Sequence, residues 1–103
     1  MSKKNPKDYE KVALKFLGIF KKAYGNGQAL IEIRRKDNLE TVVKKLCEAS
    51  PNLRRILVDP ELDNPLSNAV ILVNGVEIRL LKGLKTKLKD KDEIVFIPVI
   101  HGG

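Results

Sequence analysis

Along the sequence, strand-like segments both precede and follow one amphipathic helical segment. This order limits the possible folds more than any other feature of the chain. Apolar residues alternate with their neighbours in residues 11–17 and again in residues 29–34. The apolar face of the first run consists of Val12, Leu14 and Phe16. Residues 19–24 predict a helical turn that stops at Gly25. The two runs therefore predict a hairpin.

The long helical pattern begins near residue 37. We place Asp37 as its N-cap, with Glu40 three residues later completing a capping box. The apolar face at helical spacing consists of Leu39, Val42, Val43, Leu46 and Cys47. Residues 51–68 hold three prolines and three asparagines, so they predict a long loop with at most one turn of helix.

A second hairpin and a final strand complete the pattern. Asn74-Gly75 separates two β-branched runs in residues 69–78, which is the strongest short-range hairpin signal. Residues 80–88 predict an irregular connection, residues 89–92 a charged turn, and residues 93–99 the last strand. The predicted order is strand, strand, helix, strand, short strand, strand.

These elements predict one α+β domain. Two hairpins and one helix cannot each bury an apolar face alone, so the economical arrangement is a mixed sheet of four to five strands packed on one main helix, a ubiquitin-like β-grasp roll. We expect residues 1–10 to form a flexible lead, residues 11–100 the domain and residues 101–103 a flexible tail. With 103 residues, a second independent domain is not expected.

The composition argues against several classes of protein. No apolar run approaches the roughly 20 residues that cross a bilayer, and residues 1–8 contain no hydrophobic signal segment, so we expect a cytoplasmic protein with no membrane partner. The single cysteine, Cys47, excludes an internal disulfide. The net charge of +7 invites a nucleic-acid interpretation, but the cations are spread along the chain and the aromatic residues form no RNA-stacking motif. We therefore expect no direct nucleic-acid binding.

The printed sequence ends in His101-Gly102-Gly103, directly after the last predicted strand. Glycine has no Cβ, so such a segment can enter a channel that is too narrow for side chains. Four extended residues reach about 13 Å, far enough to place a carboxylate inside a partner's active site. An ordinary frayed terminus explains the same ending, so the ending alone does not decide between the two interpretations.

Three stretches resemble the MoaD/ThiS sulfur carriers and the related ubiquitin-like modifiers. They are residues 12–25, residues 72–78 and residues 88–103. The last stretch is the most specific, because the family has an Asp-Gly-Asp-Glu-like turn, an apolar strand with proline near its end and a terminal Gly-Gly. This chain has Lys91 where glycine is usual and a single proline, Pro98, where MoaD-type proteins often have two. In having a histidine, His101, before the two glycines, the chain resembles the ubiquitin-related modifier branch of the family.

The resemblance implies a sulfur carrier that has no catalytic residue of its own. A MoeB/ThiF-like adenylating enzyme, using ATP and Mg, would activate the carboxylate of Gly103, with Gly102 beside it. A sulfur donor would then convert the acyl-adenylate to a thiocarboxylate. The chain itself would bind no cofactor and no metal.

The resemblance leaves the pathway open. Most favoured is a MoaD-like role, as the small subunit of molybdopterin synthase in molybdenum cofactor biosynthesis beside a MoaE-like large subunit, or a role in tRNA thiolation with a tRNA thiolase. A sulfur carrier for thiamine synthesis belongs to the same class. The alternative is a ubiquitin-like protein modifier that is conjugated to lysines through Gly103. A basic RNA-binding β-grasp module is the least favoured class.

Strand parity predicts a partner-binding patch. With Val12, Leu14 and Phe16 facing the helix, Leu17 faces away. In a β-grasp roll the first and last strands are adjacent and parallel, so Leu17, Val95 and Ile97 would form an exposed apolar patch that leads towards the tail. Such patches mark partner surfaces, and we expect this one, with His101, to contact the activating enzyme or the synthase. A cover formed by residues 51–68 or by a second copy is the competing explanation.

The remaining reactive residue types form no catalytic constellation. Cys47 lies on the apolar face of the predicted helix, so we expect a buried, inert side chain. His101 lacks a nucleophile or metal ligand beside it. We expect Asp90, Asp92 and Glu93 to be turn and surface carboxylates rather than metal ligands.

Overall fold

The computed structural model describes residues 9–58 and 67–99. Its elements are β1 Tyr9–Phe16, α1 Gly18–Tyr24, β2 Gln28–Arg34, α2 Leu39–Ala49, α3 Pro51–Leu57, β3 Ala69–Val73, β4 Val76–Glu77 and β5 Glu93–Pro98, with two 3-10 turns at Ile78–Leu80 and Gly83–Lys85. The longest helix, α2, has 11 residues, and no described helix is long and apolar enough to cross a membrane.

The five strands form one mixed sheet in the order β2-β1-β5-β3-β4. β1 pairs antiparallel with β2 and parallel with β5, and β5 pairs antiparallel with β3. The predicted β-grasp roll and the adjacent, parallel first and last strands are confirmed. The hairpin of β1 and β2 begins two residues earlier than expected, since Tyr9 pairs with Arg34 and Glu10 with Ile33.

The core lies between the sheet and the helices. The inward residues of β1, which are Val12, Leu14 and Phe16, are buried as predicted, together with Ile94 and Phe96 of β5. The Phe16 ring stacks on Tyr24 at 4.5 Å and on Phe96 at 5.3 Å between ring centroids. The stacked rings join β1, β5 and α1 at the end of the sheet where β5 finishes.

The start of α2 differs from the prediction. Asn38 is the N-cap, and its Oδ1 accepts a hydrogen bond from the Thr41 amide at 3.1 Å. Asp37 instead accepts from the Arg34 amide at 2.8 Å and so closes the turn after β2. The prediction of Asp37 was wrong because two adjacent residues both had good capping side chains, and only the path of the turn decided between them.

Residues 51–57 are helical, so the prediction of a loop with at most one turn of helix was wrong for this segment. Ser50 caps α3 by accepting from the Leu53 amide at 3.2 Å, and Pro51 occupies the first turn, where a missing N–H costs no hydrogen bond. Leu53 and Leu57 are buried in the core, and this burial offsets the conformational entropy that the segment loses when it becomes helical. The predicted loop residues 59–66 lie outside the described residues.

The second hairpin has the predicted tight turn. Asn74 and Gly75 have φ of 51° and 83°, the two positive values that a type I′ turn requires. The Asn74 side chain also donates to Asp92 Oδ1 at 2.8 Å and accepts from the Glu93 amide at 2.9 Å. Asn74 thus ties the hairpin tip to the start of β5.

Asp92 is 5% exposed, so the expectation of a surface carboxylate was wrong for this residue. Its second oxygen accepts from the Lys89 amide at 2.7 Å, which closes the turn before β5. The next residue back, Lys91, has a φ of 70°, a conformation that normally favours glycine. This explains structurally why glycine suits the position where this chain has lysine.

We expect Asp92→Ala to lower the free energy of unfolding by about 1–3 kcal/mol, because it leaves the Asn74 amide and the Lys89 N–H without their acceptor. Asp90→Ala is the matched control, since it removes the same charge from the same turn but only an exposed hydrogen bond from the Lys11 amide. Chemical denaturation of both variants measures the difference. Equal destabilisation would contradict the structural role of Asp92.

Candidate functional site

The end of β5 is held firmly in the middle of the sheet. The Phe96 carbonyl accepts from the Leu17 amide at 3.1 Å, and the Val99 amide donates to the Asn68 carbonyl at 3.0 Å. The backbone is therefore paired up to the residue before 100–103. The predicted reactive residues Gly102 and Gly103 and the predicted recognition residue His101 lie outside the described residues, and their roles stay predictions.

Gly18 contacts the end of β5 closely. It has a φ of 55°, and a Cβ added to it would lie 3.1 Å from Cγ of Pro98. The chain leaves β1 at this point and enters α1, so a tight, left-handed turn passes directly beside the proline. A residue without a side chain is needed here both for the turn and for the contact.

The predicted patch residues share the outer face of the sheet. Leu17 is 45% exposed, whereas Val95 and Ile97 are half-buried. Phe16 pairs with Phe96 in the parallel register of β1 and β5, so Leu17 comes level with Ile97. The structure thus brings the three residues together, on the side of the sheet opposite to α2, as strand parity predicted.

Two further residues belong to the same surface and were missed by the sequence analysis. Val70 pairs with Ile97 and Leu72 pairs with Val95 in the antiparallel register of β3 and β5, and both are half-buried on the outer face. The signal was present in residues 69–73, which are apolar without interruption and therefore apolar on both faces. We call the five residues Leu17, Val70, Leu72, Val95 and Ile97 the outer patch.

One ion pair borders the outer patch. Lys15 Nζ lies 3.2 Å from a carboxylate oxygen of Glu93, with both side chains nearly half exposed. An exposed pair of this kind contributes only about 0–1 kcal/mol, so it does not hold the face together. Its polar groups lie beside the apolar residues, as at the rim of a docking surface.

Cys47 does not join the candidate site. It is half-buried rather than fully buried, and it lines a half-open cavity of about 310 Å³ between α2 and α3. The cavity lies on the helical side of the domain, away from the outer patch. Among residues 9–58 and 67–99, no group of His, Cys, Asp or Glu side chains could hold a metal ion.

Comparisons with known proteins agree with this geometry. The sequence pattern of the ThiS family matches residues 14–103. The small archaeal modifier protein 1 (SAMP1) of Methanosarcina acetivorans is 28% identical, with a TM-score of 0.77 over 92% of this chain and 98% of that protein. No curated protein sequence matches the chain significantly.

Two more distant solved structures show the same fold. Urm1 of Trypanosoma brucei is 21% identical, with a TM-score of 0.74 over 93% of this chain and 98% of its own. A putative molybdopterin converting factor subunit 1 from Pyrococcus furiosus is 18% identical, with a TM-score of 0.71 over 88% of this chain and 99% of its own. At such identities the likeness supports the ubiquitin-like fold alone.

We expect Gly18→Ala to destabilise the domain more than Gly83→Ala. Both glycines have nearly the same positive φ, 55° and 57°, so each variant carries a conformational cost of about 1–2 kcal/mol. Only the methyl group at residue 18 meets another atom, Cγ of Pro98, which adds about 1 kcal/mol or more. Thermal unfolding gives the difference, and amide chemical shifts of β5 report movement of its end. Equal stability of the two variants would show that the Pro98 contact is unimportant.

Proposed function

We propose, since the chain belongs to the ThiS family, that it is a sulfur carrier whose Gly103 carboxylate is adenylated and then converted to a thiocarboxylate. Small proteins of this ubiquitin-like type are sulfur carriers or protein modifiers and are not enzymes. The observation that carries the proposal is the extent of the family match, which begins within β1 and includes β5, Gly102 and Gly103.

The chemistry explains why such a protein needs no catalytic side chain. A carboxylate is a poor electrophile until one oxygen becomes part of a good leaving group. Attack of the Gly103 carboxylate on the α-phosphorus of ATP, in a partner enzyme that holds the nucleotide and Mg²⁺, releases pyrophosphate and forms an acyl-adenylate. Hydrosulfide supplied by the donor then attacks the carbonyl carbon, so that the new C–S bond forms as the C–O bond to AMP breaks, and the products are the thiocarboxylate and AMP. The chain supplies only the carboxylate, and the partner supplies the catalysis.

The folded body serves this chemistry by positioning and recognition. Backbone pairing and the Gly18–Pro98 contact fix the end of β5 up to Val99. The outer patch lies beside this end of β5, so a partner that covers the patch would also lie close to Val99. We assign Leu17, Val95 and Ile97 to binding of a MoeB/ThiF-like enzyme, with His101 contributing recognition close to the reactive group.

Two finer roles follow from the class. The first is a MoaD-like small subunit that gives sulfur to molybdopterin through a MoaE-like large subunit, or a carrier that gives sulfur to a tRNA thiolase. The second is a modifier that is conjugated to lysines through Gly103. The second role is the alternative to the carrier proposed here, and the likeness to SAMP1, a protein named as a modifier, is the observation that supports it.

Deletion of Gly103 should abolish sulfur loading. The full chain, incubated with an adenylating enzyme, ATP, Mg²⁺ and a sulfur donor, should gain the mass of one sulfur minus one oxygen, measured by intact-mass spectrometry. The shortened chain should gain nothing while keeping its thermal unfolding temperature, because the backbone pairs that the described residues make, up to Val99 with Asn68, do not involve residue 103. Sulfur loading of the shortened chain would contradict the proposal.

The same reaction separates carrier from modifier. Adducts of higher mass that map to lysines of other proteins and require Gly103 would support the modifier. A thiocarboxylate without such adducts, when target proteins are present, would support the carrier.

Leu17→Glu should weaken binding of the adenylating enzyme about tenfold or more while the domain stays folded, because the side chain is 45% exposed in the outer patch. Leu80→Glu is the matched control, since Leu80 is 81% exposed in the 3-10 turn after β4, outside the patch. Titration calorimetry measures affinity, and circular dichroism checks folding. If the two variants bind equally well, the outer patch is not the docking surface.

A further inference from the structure

A basic surface lies at the end of the sheet opposite to the exit of β5. β1 begins and β2 ends here, since Tyr9 pairs with Arg34. The turn that precedes β5 lies at the same end, because β5 runs parallel to β1. The connection from β2 to α2 and the connection from the 3-10 turns to β5 therefore meet at this end.

Six exposed cations occupy this end, and we call them the basic surface. They are Arg34, Arg35, Lys36, Lys87, Lys89 and Lys91. Backbone contacts hold the two segments side by side: the Leu88 amide donates to the Asp37 carbonyl at 3.0 Å, and Asn38 forms a β-bridge with Lys87. The Lys91 amide donates to the Lys11 carbonyl at 2.7 Å. In the sequence the cations look spread along the chain, because about half of the chain separates the two segments.

Three carboxylates at the same end are engaged by the backbone instead of by these cations. Asp37 accepts from the Arg34 amide, Asp90 accepts from the Lys11 amide at 2.9 Å, and Asp92 is buried. The ion pairs found within residues 9–58 and 67–99 all lie elsewhere, and none involves the six cations. The six side chains are therefore available to an external anion, while the nearby acids stabilise the turns that carry them.

We propose that the basic surface binds the phosphate backbone of a nucleic acid. Six cations on hydrogen-bonded turns would displace counterions from successive phosphates, which is the main source of sequence-independent affinity. An acidic protein is a poorer fit, because protein interfaces have a buried apolar centre. The large apolar side chains that are exposed in the described chain all lie outside residues 34–36 and 87–91.

The two segments of the basic surface offer no platform for base stacking. Residues 34–36 and 87–91 contain no aromatic side chain, and Tyr9, which pairs with Arg34 at this end, is partly buried. We therefore expect contacts with phosphates, weak dependence on sequence and strong dependence on salt. The basic surface lies at the end away from the exit of β5, so binding there does not depend on the proposed sulfur chemistry.

The test uses the full chain and fluorescence anisotropy of a labelled single-stranded RNA and of a labelled DNA duplex. One variant combines Arg35→Gln, Lys87→Gln and Lys89→Gln in the basic surface. The control combines Lys22→Gln, Lys44→Gln and Arg55→Gln, which are exposed cations on α1, α2 and α3 that remove the same charge elsewhere. Thermal unfolding of both variants confirms that they fold.

The variant in the basic surface should bind RNA about tenfold or more weakly at low salt. A plot of the logarithm of the association constant against the logarithm of the salt concentration should also become less steep, by about 0.7 for each lost phosphate contact. The control should bind within about threefold of the natural chain. Deletion of Gly103 should leave binding unchanged. Binding of the RNA or of the duplex with this pattern supports the proposal and identifies which nucleic acid fits.

Three results would overturn the proposal. Equal loss of affinity in the two triple variants would mean that only the overall charge matters. Displacement of the nucleic acid by polyglutamate at the same concentration of negative charge would mean that any polyanion fits. Absence of salt-dependent binding to either nucleic acid would show that the basic surface does not bind the phosphate backbone.

Discussion

The parallel pairing of β1 with β5 is the contact on which the rest of the structure depends. The pairing runs from Ala13 opposite Glu93 to Phe16 opposite Phe96, and the stacked rings of Phe16 and Phe96 continue it into the core. Parallel neighbours cannot be joined by a tight turn. The described residues between β1 and β5 form the helical layer and the two flanking parts of the sheet. β5, the last of the described strands, occupies the centre of the sheet.

The central position of β5 suits the proposed function, in which the residues that follow this strand carry the chemistry. An edge strand is paired on one side only, whereas β5 is paired on both, so local opening costs more at its end. The outer patch adjoins the same end, and Gly18 brings a second segment against Pro98. The domain thus places the outer patch beside the fixed end of β5. In the proposed function the body selects the partner, and the Gly103 carboxylate carries the chemistry.

Much of the fold could be predicted because its signals are local. Alternation identified the inward faces of β1 and β5, and Asn74-Gly75 identified the second hairpin, since its two positive φ angles suit few other residue pairs. The failures involved competition or distant contacts. Asp37 and Asn38 both had side chains suited to capping α2. The segment of α3 has the composition of a loop, and its helix depends on burial of Leu53 and Leu57 in the core. Val70 and Leu72 were missed because the sequence does not show which strand lies beside β3. Only the pairing of β3 with β5 places the two residues next to Val95 and Ile97.

The sequence by itself determined the strands, the main helix, the core face of each strand and the family of the chain, because periodicity, turn residues and the final motif are properties of neighbouring residues. Tertiary structure decided which distant segments meet. It placed Leu17 level with Ile97, put Asp92 under the tip of the β3–β4 hairpin and gathered six cations from two remote segments at one end of the sheet. These arrangements depend on strand order and direction, which follow from how the whole chain buries its apolar surface.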